Sequence, residues 1–169
     1  MGRKAVVLSV LLCLLGTVAR GQNERFKALF LYNFTRYLEW PTGGQQDDFV
    51  ILVAGKNAKI TNELQQIAAK KTVGTLKMVV RESNDASEAT RCNMVFVPSS
   101  ERGLLPNVVA NTRGKHVVVV SDENGGISQG ASFNFIEAGG KTQFEVSPST
   151  LENHGIKISS SLLSLGVVK

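Results

Sequence analysis

Four short runs, at 49–54, 76–80, 94–97 and 116–120, are apolar at nearly every position and rich in β-branched residues. A strand with one solvated face alternates apolar and polar residues; an unbroken apolar run is a strand covered on both faces. Covering both faces takes helices, and the segments between the runs have helical patterns. Asn57 is placed to cap a helix in which Ile60, Leu64, Ile67 and Ala68 share a face, and Leu104, Leu105, Val108 and Val109 suggest another between 100 and 112. The segment 83–90 is polar and reads as a loop with a short helical turn. Upstream, Phe26, Leu29, Phe30, Phe34, Tyr37 and Leu38 predict a helix over 24–39, stopped by Pro41, with Phe26, Phe30 and Tyr37 toward the sheet and Tyr32 off that face. Strand–helix–strand repeats imply parallel pairing.

The period changes near residue 131. Phe133 and Phe135, then Phe144 and Val146, alternate on either side of Gly139-Gly140, the pattern of an antiparallel hairpin. Ser147 and Pro148 open a further helix that Gly155 ends. Residues 156–168 mix helical and extended signals. The expected fold is a single α/β domain: a mixed, mostly parallel sheet with flanking helices and a C-terminal antiparallel hairpin. A length of 169 residues fits one domain.

Residues 1–21 read as a cleavable signal peptide. Arg3 and Lys4 precede an apolar run of about 15 residues, too short to span a bilayer comfortably. Ala19-Arg20-Gly21 directs cleavage before Gln22, with a cut after Ala19 as the neighbouring choice, so the domain is 22–169. Leu12 ahead of Cys13 does not suit lipidation. The whole chain has 19 basic and 14 acidic residues, a net charge of +5. Without Arg3, Lys4 and Arg20 the balance is 16 against 14, or +2, and only Lys70-Lys71 are adjacent. A dispersed +2 gives no basic stripe for nucleic acid. No second apolar run approaches 18 residues, so the mature chain is expected to be soluble in the periplasm without stable membrane insertion. Cys92 is its only cysteine, which excludes an internal disulfide.

Catalytic motifs are missing. Gly140-Lys141-Thr142 lacks the upstream glycine of a phosphate loop and lies in a hairpin; Gly55-Lys56 follows a strand but is also incomplete. Neither Gly-x-Gly-x-x-Gly nor Gly-x-Ser-x-Gly occurs. Ser159, Ser160 and Ser161 have His154 nearby in sequence but no motif spacing. His116 and His154 have no metal-ligand spacing to each other or to Cys92, so no metal and no cofactor is expected. His154 ends the predicted helix, where the dipole favours an imidazolium. Asn33-Phe34-Thr35 spells a glycosylation sequon, discounted because it falls on a predicted helix. Ligands of open α/β sheets bind beyond the carboxyl ends of strands, which makes 122–130, with Asp122, Asn124 and Gly126, the candidate ligand loop. Tyr32, Glu39 and Trp40 are the candidate partner-binding residues, on the reading that exposed aromatics mark interfaces.

The sequence Lys27-Ala28-Leu29-Phe30-Leu31-Tyr32-Asn33-Phe34, then Tyr37-Leu38-Glu39-Trp40-Pro41, resembles the opening signature of the YfiR family of periplasmic proteins. Cys92 with its apolar strand, Asn134-Phe135, Phe144-Glu145, and Gly155 through Ser159-Ser160 resemble its later segments in order. The resemblance implies an α/β fold, frequent dimers, and a regulator in place of an enzyme. Members bind the periplasmic sensor domain of an inner-membrane diguanylate cyclase, hold it inactive, and so limit cyclic di-GMP and biofilm formation. Some relatives use cysteine pairs as a redox input; here Cys92 has no mature partner, which leaves an intermolecular disulfide or a buried structural thiol. The alternative function is a small-molecule sensor module with its ligand at 122–130.

Overall fold

The computed structural model describes residues 23–41 and 47–169. The predicted signal peptide lies outside them. Helix α1 is described over 23–37 and is followed by β1 (Leu38–Glu39). The chain continues through β2 (Asp48–Ala54), α2 (Ala58–Ala68), β3 (Thr72–Val73), β4 (Leu76–Ser83) and β5 (Met94–Val97). Then come α3 (Leu105–Thr112), β6 (Val118–Ser121), β7 (Phe133–Ala138) and β8 (Lys141–Val146). Next is α4 (Pro148–Asn153), the helix that Ser147 and Pro148 predict, and the mixed segment 156–168 resolves into β9 (Lys157–Ile158), α5 (Ser160–Leu163) and β10 (Val167–Val168). Single 3-10 turns at Ala86–Arg91, Ser99–Leu104 and Ile127–Gln129 fill the connections.

One eight-stranded sheet runs in the order β10-β8-β7-β6-β5-β2-β4-β3. Its centre, β4-β2-β5-β6-β7, is parallel throughout, and β7–β8 is the expected antiparallel hairpin. The chain starts at β2, steps out to β4, then returns to the other side at β5. That reversal is the doubly wound topology, with a crevice at the carboxyl ends of β2 and β5.

Strand alternation sends side chains to two cores. Phe49, Ile51, Val53, Phe96 and Val120 meet α1 and α2 on one face, while Val50, Leu52, Val95, Val97 and Val119 meet α3 on the other. Asn57 caps α2 through its carboxamide oxygen on the Ile60 N–H, and Ser147 caps α4, both as the sequence predicts.

Two features of α1 differ from the sequence reading. The helix stops at residue 37, because Leu38 and Glu39 pair antiparallel with Ile158 and Lys157 of β9. Trp40 precedes Pro41, a position that itself disfavours helix. The inward face is Ala28, Leu31 and Phe34, all fully buried, while Phe26 and Tyr37 point outward and Phe30 is half-buried. The sheet decides this: Phe34 stacks on Phe133 at 4.3 Å between centroids and meets Phe144 edge-on at 5.0 Å.

Phe34→Ala should cost about 3–5 kcal/mol, the range for a fully buried aromatic. Urea unfolding of the variant checks this; a loss under about 1 kcal/mol would show that α1 is not seated through this ring.

Candidate functional site

Helix α1 is fastened at three places. Near the start of its described part, Lys27 reaches Asp122 just after β6, with Nζ 2.6 Å from Oδ2, and Glu24 stands 3.7 Å from the same ammonium. Phe34 holds the middle. At its end, the β1–β9 pair ties the chain to the C-terminal segment, and the Tyr37 carbonyl accepts the Ser159 N–H at 3.0 Å.

With its inner face committed, α1 exposes Phe26, Leu29 and Tyr37 to 55%, 39% and 38%. Grooves flank this ridge. One, of about 370 Å³, lies between α1 and α2 and is lined by Arg25, Leu29, Tyr32, Asn33, Glu63, Ile67, Lys70 and Lys71, among others. The second, of about 630 Å³, lies against the β7–β8 hairpin, with Phe26, Phe30 and Lys141 in its walls.

Of the candidate partner residues, Glu39 is exposed on β1, while Tyr32 and Trp40 are half-buried and pack against the core. Trp40 meets Phe49 edge-on at 5.0 Å, and its buried indole N–H has no acceptor among the described residues. The exposed-aromatic reading therefore transfers from Tyr32 and Trp40 to Phe26 and Tyr37. The aromatic signal is in the sequence, but the inward stripe is Ala28, Leu31 and Phe34, not the Phe26, Phe30 and Tyr37 stripe that the spacing suggests.

The candidate ligand loop is largely committed to internal contacts. Besides Lys27, Asp122 accepts the Ser99 backbone N–H. Asn124 is exposed and lines a crevice of about 410 Å³ with Lys27, Ser99 and Glu123. Gly126 is buried against a polar chain: Ser121 Oγ donates to Asn134 Oδ1 at 2.7 Å, and Asn134 Nδ2 donates to Glu145 Oε2 at 3.1 Å. A Cβ on Gly126 would lie 2.0 Å from Ser121 Oγ, so the loop packs here only as glycine. Lys169 continues the chain, 3.2 Å from Glu145 Oε1. The crevice at the β2/β5 reversal is also occupied by the protein's own acids. Glu82 Oε1 accepts from the Asn57 N–H and the Thr61 hydroxyl, and the Glu101 side chain lies over Gly55.

Several other signature residues have structural work. Cys92 is buried, its thiol donating to the Glu88 carbonyl, and burial raises its pKa to about 11, far from a reactive thiolate. Gly155, with φ +68°, sits where a Cβ would meet the His116 ring at 3.1 Å and Pro41 at 3.6 Å. Ser159 caps α5 through its hydroxyl, and Ser160 is exposed in the first turn. The two histidines, far apart in sequence, form a reciprocal clasp. His116 Nδ1 lies 2.8 Å from the His154 carbonyl, and His154 Nδ1 lies 2.8 Å from the Lys115 carbonyl. A carbonyl only accepts, so each Nδ1 carries the proton. His154 is buried, and burial lowers its pKa below the ordinary 6.5, overriding the helix-end effect that the sequence suggested. Among the described residues, no three His, Cys, Asp or Glu side chains converge as a metal site, and no helix is long and apolar enough to cross a membrane.

The profile of the YfiR/HmsC-like family matches residues 24–167. The chain belongs to that family. The match runs from α1 to β10 and so includes the ridge and both grooves. A YfiR/HmsC-like chain is of a regulatory, non-catalytic kind associated with the periplasm. The fold is similar to the crystal structure of a conserved domain protein from Vibrio cholerae O1 biovar El Tor, with a TM-score of 0.54 and 13% identity. That similarity covers 72% of this chain and 55% of the other's length, and it speaks to the fold alone. None of the curated proteins matches the chain.

Gly126→Ala should destabilise this YfiR/HmsC-like domain by about 1–3 kcal/mol through overpacking, whereas Gly103→Ala, which meets open space, should be near neutral. Equal melting temperatures for the two variants would contradict the close approach. The histidine clasp gives a pH dependence. Just below pH 6.5 the unfolded chain binds a proton at residue 154 that the native chain refuses. Stability should therefore fall as pH drops from 7.5 to 5.5, and level off below the native pKa. Urea midpoints across that range should fall less in His154→Asn; identical slopes would contradict the assignment.

Proposed function

We propose that this chain is an exported envelope regulator that binds the periplasmic sensor region of an inner-membrane diguanylate cyclase and holds the enzyme inactive. Cyclic di-GMP, and with it biofilm formation, is kept low while the two are bound. The family match over residues 24–167 carries this reading. The ridge on α1 supports it, since it exposes large apolar side chains on a helix whose inner face is fully packed. Exposed apolar surface of that kind marks docking faces more often than chance. Export rests on the signal peptide read in residues 1–21. Small-molecule sensing at 122–130 is the weaker reading, because Asp122 already serves Lys27 and Ser99.

Deleting the gene in its host should raise cyclic di-GMP several-fold and increase biofilm, with both restored by a plasmid copy. Mass-spectrometric nucleotide measurement is the check. Unchanged cyclic di-GMP on deletion would refute the proposal.

A further inference from the structure

We propose that the groove between α1 and α2 seats an acidic amphipathic helix, and that this helix belongs to the membrane protein the chain regulates. The identity of that protein rests on the reading above; the chemistry of the guest rests on the groove alone.

The floor is apolar. Leu29 is exposed there, and Tyr32 and Ile67 are half-buried. The rim is basic. Arg25, Lys70 and Lys71 line the groove and are exposed, against a single acid, Glu63. Among the described residues, no ion pair involves any of these three cations; the pairs present are Lys27–Glu24, Lys27–Asp122 and Lys169–Glu145. This local excess stands out in a chain whose predicted mature charge is only +2. A guest with two or more carboxylates beside an apolar stripe would complement both features.

The walls decide the guest's conformation. Both are helices, whose backbone N–H and C=O groups are bonded internally, so an added strand would find no ladder partner. A helix brings its own backbone bonds. From Arg25 to Asn33 the groove runs about 12 Å at 1.5 Å per residue, room for apolar anchors at i, i+4 and i+7.

Two other occupants fit less well. A second copy docking through the same face would set Arg25, Lys70 and Lys71 against themselves. An anionic bilayer would satisfy the charge, but Tyr32 and Ile67 lie half-buried between two helices, where the side chains of a docked helix reach and a flat headgroup surface does not.

The test uses two labelled 16-residue helical peptides with the same leucine stripe, one flanked by Glu and one by Lys, titrated against the full chain by fluorescence anisotropy. The Glu peptide should bind at least tenfold more tightly. In the triple variant Arg25→Glu, Lys70→Glu, Lys71→Glu that preference should reverse, and Leu29→Ser should weaken binding in the wild-type background. The substituted side chains are exposed, and circular dichroism confirms that each variant is folded. No preference between the peptides, or a preference that survives the triple variant, would overturn the proposal. So would phosphatidylglycerol vesicles that sediment the wild type but not the triple variant while neither peptide binds, which would assign the face to lipid. A complementation arm separates the two readings. If a wild-type copy fails to lower cyclic di-GMP in the deletion strain, the regulator reading falls and the peptide result stands by itself. If the wild type and the triple variant repress equally, the groove proposal alone falls.

Discussion

Phe34 locks helix α1 onto two strands of the C-terminal hairpin, about a hundred residues further along the chain. It stacks on Phe133, meets Phe144 edge-on, and lies 6.0 Å from Phe135. Without this ring the aromatic face of β7 and β8 would stand open to water, since β-strands this apolar need a cover. Covering it fixes the rotation of α1 about its own axis. The Lys27–Asp122 pair and the β1–β9 pairing then fix its position at either end. Every property of the outer face follows from that single orientation, including which apolar residues reach solvent and which basic residues line the groove beside α2.

The places where a doubly wound sheet ordinarily binds a ligand are taken by the protein itself. Glu82 accepts the Asn57 amide and the Thr61 hydroxyl at the start of α2, Glu101 lies over Gly55, and Asp122 is bound by Lys27 and Ser99. The buried thiol and the histidine clasp likewise serve packing. What remains free is surface: a ridge of Phe26, Leu29 and Tyr37 with a basic groove on one side. That surface is what the proposed regulator would present to a partner, in keeping with a regulatory family.

Local features were legible in the sequence. The four strands of the parallel sheet, the Gly139-Gly140 hairpin and the caps at Asn57 and Ser147 depend on residues near them in the chain, and the structure has them all; three of the strands are buried, while β4 is half-exposed with only Met78 fully covered. Features set by distant partners were not. The face of α1 was not legible because Phe26, Phe30, Phe34 and Tyr37 fall within about 80° of one another at 3.6 residues per turn, a ready-made aromatic stripe, whereas the hairpin takes only its Phe34 edge together with Ala28 and Leu31. Leu38–Glu39 continued a helical pattern, yet became a strand because Lys157–Ile158 was there to pair with. The clasp between His116 and His154 joins residues 38 apart that share no motif. Gly126 and Asn134 are unrelated in the sequence, one in a loop and one in a strand, yet a single hydrogen-bonded chain through Ser121 accounts for both.

Helix α1 has an inner face that holds the fold and, in the proposed function, an outer face that binds the partner. Leu29 and Leu31 are two residues apart on opposite sides of that division. Melting temperature and repression of cyclic di-GMP, measured on Leu29→Glu and Leu31→Ala in parallel, test it most directly. Leu31 is fully buried, so Leu31→Ala should lose about 2–5 kcal/mol and melt well below the wild type. Leu29→Glu should melt within a few degrees of the wild type, as surface changes do, and yet fail to restore repression in the deletion strain. A folded Leu29→Glu chain that represses as fully as the wild type would contradict the account.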